Sequence, residues 1–511
     1  MHLPWVVRSL LIIAALLTSA NALAQERVVL LPHTSEGYGY ASLVPEGWSD
    51  VGQGIFTRQR DAKDPTLLAQ QSAPVSAEDV LASLLPQLRL TEAPQSVGTH
   101  QGDALEWTLY QVHVTLGEGE VAVDLALADE AGTTYIVLLQ SAPDERDALL
   151  ESIFLPALNA FAPLAETVED VPYRVEAVSF SNGDVTLAGT LTLPPTPGSH
   201  PAVVLVSGSG PQDRDETLGG GIAIKPFRLL ADALTREGVA VLRYDDRGVG
   251  ESTGTFSAAV VSDFASDAEA AIEYLRTREE IDSGQIGVLG HSEGGLVAAK
   301  LGARNDDLDF IISLAGPGVN GRDLLMLQNQ RILEAEGATQ EEIDAQLAFV
   351  EDLIKVLDDP AAVEALIYAR TLEQAEALPE AERAALGDLE DYAHMVTEQA
   401  MSEFGTDWFA SFLAYDPAPD WARTTVPVLA IFGGKDVQVD AEQNAPALED
   451  ALEHAGNDDV EIAVLPNANH LFQEAETGSP SEYATLPAEF TPDLVPTIVN
   501  WLQNHLEIAA D

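Results

Sequence analysis

The chain has 511 residues, 46% of them hydrophobic, which is enough for two or three domains with sizeable cores and excludes a disordered polymer. Acidic residues outnumber basic ones 83 to 25, and the resulting net charge of −58 opposes nucleic acids and anionic membrane surfaces as partners. Cysteine is absent, which excludes disulfides and a lipoprotein anchor.

The first segment pairs Arg8 with a short apolar run from Leu10 to Leu17, followed by Ala22-Leu23-Ala24. That pattern predicts a signal peptide over 1–24, with cleavage near Ala24 and a periplasmic or extracellular mature protein. The run is too short to span a bilayer, and no later stretch is apolar over that width, so no stable membrane insertion is expected. The acidic residues are dispersed, as expected of a strongly solvated surface working in salt.

Residues 26–162 read as a small α+β domain. Strand patterns cover Glu106 to Val114, Val121 to Leu127 and Thr133 to Gln140, with helices around Ala77 to Leu88 and Glu145 to Phe154. The phrase Tyr40-Ala41-Ser42-Leu43-Val44-Pro45-Glu46-Gly47-Trp48 resembles the opening of PsbP/Mog1-like domains. Nothing in the sequence identifies a partner for this domain. A polar, acidic link from Pro163 to Val171 follows.

From Pro172 the pattern changes, and residues 172–511 are expected to form a second domain. Asn182-Gly183 separates two apolar-alternating runs, Val175 to Phe180 and Val185 to Leu193, and predicts a hairpin. Strand-like runs follow at Ala202 to Val206, Val239 to Leu242, Ile286 to Leu289, Phe310 to Leu314, Val428 to Phe432 and Ile462 to Leu465. Amphipathic stretches such as Phe264 to Arg276, Leu296 to Ala303 and Leu494 to Leu506 alternate with them. The prediction is an α/β fold: a mostly parallel sheet covered by helices on both faces. Between about 318 and 419 only acidic, Ala- and Leu-rich helical sequence occurs, which predicts a helical cap inserted over the carboxyl edge of the sheet.

Gly290-His291-Ser292-Glu293-Gly294-Gly295 lies between the apolar run Ile286 to Leu289 and a helix. Strand, tight turn and helix in that order describe a nucleophile elbow, with Ser292 lifted out of the sheet at a helix N-terminus. A nucleophilic serine needs a base. Of the ten histidines, only His470, in Pro466-Asn467-Ala468-Asn469-His470, comes in a loop directly after the last strand. His291 sits inside the elbow itself, His200 precedes the first parallel strand, His2 lies in the signal segment, and the others lie in the N-terminal region or on predicted helices. The orienting acid is expected at the end of the preceding strand, at Asp436 in Gly433-Gly434-Lys435-Asp436, with Asp440 and Asp323 as weaker candidates. The order Ser292, Asp436, His470 is the one this arrangement requires.

Two backbone donors should form an oxyanion hole. Glu293, after the nucleophile, supplies one, and the loop Ser207-Gly208-Ser209-Gly210 supplies the other, at Ser209 with Gly208 as the neighbouring choice. The Glu293 carboxylate is expected to face solvent, to disfavour anionic substrates, or to hold a substrate ammonium. The run Arg243-Tyr244-Asp245-Asp246-Arg247-Gly248 reads as a structural turn in which Arg214 or Arg247 pairs with nearby aspartates. No H-E-x-x-H motif occurs and histidines are scattered, so no metal or cofactor is expected.

From about Val175 to Leu506 the chain resembles EstD-type bacterial esterases of the α/β-hydrolase superfamily, near the dienelactone-hydrolase and serine aminopeptidase-like groups. The matching phrases are Gly208-Ser209-Gly210-Pro211-Gln212-Asp213-Arg214-Asp215-Glu216, Arg243-Tyr244-Asp245-Asp246-Arg247-Gly248-Val249-Gly250, Gly290-His291-Ser292-Glu293-Gly294-Gly295, Tyr415-Asp416-Pro417-Ala418-Pro419 and Asn469-His470-Leu471-Phe472-Gln473. Ser207 departs from the pattern, standing where many α/β-hydrolases carry histidine before the oxyanion glycine. The resemblance implies cofactor-free hydrolysis of small carboxylic esters with short acyl groups. Two other readings compete: a serine peptidase acting on short peptides with the same triad, and a binding protein with a vestigial hydrolase domain.

Overall fold

The computed structural model describes residues 28–508, apart from 36, 59–63, 74, 86, 87, 89, 91, 117, 118, 131, 165–170, 220, 305–307, 358, 381, 382, 384, 385 and 387. The expected signal segment and most of the link before Pro172 lie outside the described residues. The chain packs as two compact units. One comprises the described residues before position 169 together with Gly219–Ala223 and Asp359–Phe404, and the other comprises the remainder.

In the first unit, seven antiparallel strands follow the order Ser49–Asp50, Ile55–Thr57, Leu67–Ala73, Thr133–Ser141, Gly119–Glu130, Glu106–Leu116 and Gly98–Gln101. Successive side chains on a strand point to opposite faces, and here both faces are buried. Ile136 and Leu138 pack with Val80, Leu81 and Leu84 of the helix Ala77–Leu84. Val137 and Leu139 pack on the opposite side with Ile153, Phe154 and Leu158. A two-faced core explains the unbroken apolar run Tyr135–Leu139 within the strand Thr133–Ser141. The helix expected to end at Phe154 loosens there into a π turn, Leu150–Phe154, and continues as Leu155–Ala160. Pro156 has no N–H to donate, and the wider turn ahead of it absorbs the missing bond.

The second unit is built on eight strands: β1 Arg174–Asn182, β2 Val185–Leu193, β3 His200–Val206, β4 Ala240–Tyr244, β5 Ile281–His291, β6 Phe310–Leu314, β7 Val428–Gly433 and β8 Val460–Leu465. Their order is β1-β2-β4-β3-β5-β6-β7-β8. The hairpin β1–β2 and the pair β2–β4 are antiparallel, and every pairing from β4 to β8 is parallel. The hairpin turns at Asn182-Gly183, where Gly183 has φ +60. Central strands β3 and β6 are buried along their whole length, as helices on both faces require.

Helices α1 Pro226–Arg236, α2 Val261–Arg276, α3 Glu293–Gly302, α7 Ala441–Ala455 and α8 Leu494–His505 alternate with the strands, α7 and α8 taking their numbers from chain order after the insert. The insert between β6 and β7 contributes α4 Gly321–Ala335, α5 Gln340–Val356 and α6 Asp407–Ala414, with Pro360–Ala377 and Leu389–Phe404 falling in the first unit. Among the described residues of the insert there is no strand. This is the α/β-hydrolase fold, with the carboxyl ends of β3, β5, β7 and β8 brought to one edge. Among the described residues no helix is long and apolar enough to cross a membrane.

Candidate active site

Ser292 stands between β5 and α3 with φ +53 and ψ −117, a backbone region that non-glycine residues rarely enter. The strain is held by close packing on both sides. A Cβ added at Gly290 would lie 2.0 Å from the Gly294 carbonyl oxygen, and one at Gly294 would lie 2.2 Å from the Val206 oxygen. Only glycine lets the strand, the turn and the helix approach so closely. The Ser292 amide donates to the Leu314 carbonyl at 2.9 Å, anchoring the elbow to β6.

The loops after β7 and β8 bring Asp436 and His470 together. His470 Nδ1 lies 2.8 Å from Asp436 Oδ2, and both residues are buried. Asp436 Oδ1 accepts from the amides of Gln438 and Val439 at 2.8 and 2.9 Å, so the carboxylate is fixed by its own turn. The His470 loop is shaped by Asn469, whose Oδ1 accepts from the amides of Leu471 and Gln473 at 3.0 and 2.9 Å. The rings of His470 and His291 lie 4.9 Å apart, which sets the His470 loop beside the residue preceding Ser292. The two weaker acid candidates are employed elsewhere. Asp440 caps α7 and pairs with Arg331 at 3.0 Å, and Asp323 is bonded to Asn320 in the first turn of α4.

The loop after β3 lies against the elbow: a Cβ at Gly208 would sit 3.2 Å from the Ser292 Cβ. The Gly208 amide already donates to Glu216 Oε1 at 3.0 Å, which leaves Ser209 as the neighbouring amide. Asp246 pins this loop, accepting from Ser207 Oγ at 2.9 Å and from the Gln212 amide at 3.0 Å. Burial holds its carboxyl well above the ordinary aspartate value, only partly offset by these donors. The expected bracing turn is also present: Arg214 bonds Asp245 at 2.6 and 3.0 Å, Arg247 bonds Asp267 at 2.7 and 2.8 Å, and Arg243 pairs with Asp215.

Glu293 differs from the expectation that its carboxylate faces solvent. It is buried, and Trp408 Nε1 of α6 donates to its two oxygens at 3.2 and 3.1 Å. Ser209 supplies a further side-chain hydrogen bond. Burial pushes the carboxyl up to about 7, and the two hydrogen bonds restrain the rise. The direction of this side chain depends on where the insert returns to the elbow, which local sequence does not encode. Two more residues escaped the sequence reading, Glu216 and the elbow's own His291. His291 Nδ1 lies 2.7 Å from Glu216 Oε1 and Nε2 lies 2.9 Å from the His470 carbonyl oxygen. The only available signal was the presence of Glu216 in a long acidic phrase after β3.

Residues 219–372 match the family model described as serine aminopeptidase, S33. Esterase EstD of Thermotoga maritima is 30% identical over 327 residues, which cover 63% of this chain and 68% of the relative. Among solved structures, an esterase of Pyrococcus furiosus is 18% identical with a TM-score of 0.39, covering 66% of this chain and 94% of its own. A dienelactone hydrolase of Anabaena variabilis is also 18% identical, with a TM-score of 0.34, covering 66% of this chain and 100% of its own. With the strand order, the elbow and the extent of the match to Esterase EstD in hand, the chain belongs to the α/β-hydrolase superfamily, in the family of EstD-type esterases.

Proposed function

We propose that this protein hydrolyses carboxylic esters with short acyl groups, using Ser292 as nucleophile, His470 as general base and Asp436 as the residue that orients the base. The observation that carries this reading is the strained elbow at Ser292 together with the buried 2.8 Å contact between His470 and Asp436. Asp436 accepts the Nδ1 proton of His470, which leaves Nε2 as the basic nitrogen. Oγ of Ser292 attacks the ester carbonyl as Nε2 takes its proton. The amides of Glu293 and Ser209 then receive the oxyanion, Glu293 being the first residue of α3, where the helix dipole adds to the donor. His470 returns the proton to the leaving alcohol, and water attacks the acyl-enzyme by the same route.

The match to the serine aminopeptidase model keeps a peptidase reading in view. The carboxylate that would hold a substrate ammonium is Glu293, and its oxygens are taken by Trp408, which favours the ester.

The domain limits 26–162 and 172–511, the helical cap and export after cleavage near Ala24 belong to the same proposal. The test is hydrolysis of p-nitrophenyl acetate, butyrate and octanoate beside aminoacyl-p-nitroanilides, for the wild type and Ser292→Ala. Ester turnover that falls with chain length and vanishes in the variant is expected. Turnover confined to the anilides would move the substrate to peptides, and activity retained in Ser292→Ala would remove the nucleophile.

A further inference from the structure

We propose that the buried pair His291–Glu216 is a positioning device, in which a standing imidazolium ties the oxyanion loop, the nucleophile elbow and the base loop into one register. The inference rests on the catalytic reading of Ser292 and His470 given above. Three segments far apart in sequence meet at this pair. Glu216 Oε1 accepts from the Gly208 amide at 3.0 Å and faces His291 Nδ1 at 2.7 Å. On its other side, His291 Nε2 lies 2.9 Å from the carbonyl oxygen of His470.

The partners define the charge. A carbonyl oxygen only accepts, so Nε2 carries a proton. With Glu216 as a carboxylate, its Oε1, which already receives the Gly208 amide, takes a second donor from Nδ1, and we assign that nitrogen a proton as well. The ring is an imidazolium and Glu216 its counter-ion, leaving the buried pair neutral as a whole. Burial works against the charge, but Glu216, the His470 carbonyl and the more distant Asp436 together raise the His291 pKa above the ordinary value. Glu216, His470 and Asp436 are the titratable groups that act on the ring.

The arrangement carries costs that a simple structural turn would avoid. Glu216 adopts φ +57, unusual for a residue with a side chain. Its second oxygen, Oε2, is buried without a hydrogen-bond partner. Buried ion pairs contribute little to net stability, because desolvation offsets their attraction, so stability alone does not account for this one. The geometry held here is the distance between the oxyanion amide, the nucleophile and the base, on which rate depends steeply.

The experiment combines kinetics with a direct reading of protonation. Glu216→Gln, His291→Gln and the double variant are assayed on p-nitrophenyl butyrate, with melting temperatures taken in parallel. Each single variant should lose about 10²-fold in kcat with little change in KM, and the double variant should lose no more than either single one. Losses that multiply in the double variant would overturn the proposal, as would melting temperatures that fall while kcat holds. Should the variants fail to fold, nitrogen-15 histidine spectra of the wild-type chain decide the matter. Two protonated ring nitrogens on one buried histidine, persisting from pH 6 to pH 9, are expected, and neutral rings throughout at pH 7 would overturn it. Full turnover in Ser292→Ala would instead remove the catalytic reading, and the positioning role with it, while the imidazolium signature remained.

Discussion

Trp408, from the insert, and Glu293, the residue after the elbow serine, are joined by a buried hydrogen bond from the indole Nε1 to both carboxylate oxygens, at 3.2 and 3.1 Å. Trp408 also packs with Phe256 and Phe412 at ring separations of 5.5 and 6.3 Å. Helix α6 is therefore attached to the Ser292 turn by one polar contact set in an aromatic cluster.

The burial of Glu293 beneath α6 makes stability pH-dependent, and the Trp408 hydrogen bond moderates the effect. Glu293 is raised from 4.5 to about 7 by burial, so the native state holds its proton where the unfolded chain has lost it. Stability from this group is fullest below about pH 4.5, falls as pH rises from there to 7, and stays reduced above 7. Glu293→Gln keeps an acceptor for Trp408 and cannot ionise. Denaturant titrations should find the variant more stable than the wild type at pH 8, by about 3 kcal/mol at most, and equal to it near pH 4. Equal stability at both pH values would show that the carboxyl titrates normally.

Asp436→Asn preserves the shape of its turn but can present an amide donor to His470 Nδ1, which selects the wrong tautomer of the base. Ester turnover should fall by roughly 10³- to 10⁴-fold with KM nearly unchanged, measured in steady-state kinetics on p-nitrophenyl butyrate. A fall of less than tenfold would mean that another carboxylate orients His470.

Gly294→Ala forces a Cβ to within 2.2 Å of the Val206 carbonyl, backbone that cannot give way as a side chain would. The expected cost is about 1–3 kcal/mol or more, with loss of activity from a displaced Ser292. Thermal melting and fluorophosphonate labelling check both effects. An active variant melting with the wild type would show that α3 can slide away from β3.

The net charge of −58 leaves the folded chain under self-repulsion that added salt screens. The melting temperature should rise between 0.05 and 1 M sodium chloride. No rise would argue that ion pairs such as Arg58 with Asp64 and Glu145 already balance the acidic surface locally.

What the sequence determined by itself is the chemistry of short segments. Periodicity two and the Asn182-Gly183 turn place the β1–β2 hairpin, and the run Phe310–Leu314 marks β6 to the residue, because local patterns reflect local burial. The elbow is legible because a strained serine between close-packed elements demands glycine at fixed spacing. Asp436 and His470 are legible because strand ends and chain order limit the choices. Tertiary structure alone decided the rest. Strand Leu67–Ala73 is not legible in the sequence because Gln70 and Gln71 are buried in it, their amides donating to the carbonyls of Leu43, in the strand Tyr40–Pro45, and of Gln53, in a turn. The burial of Glu293 depends on a tryptophan 115 residues away, and the His291–Glu216 contact spans 75 residues. Side-chain environment at such positions is set by which loops converge on one edge of the sheet, and that convergence is a property of topology rather than of any local pattern.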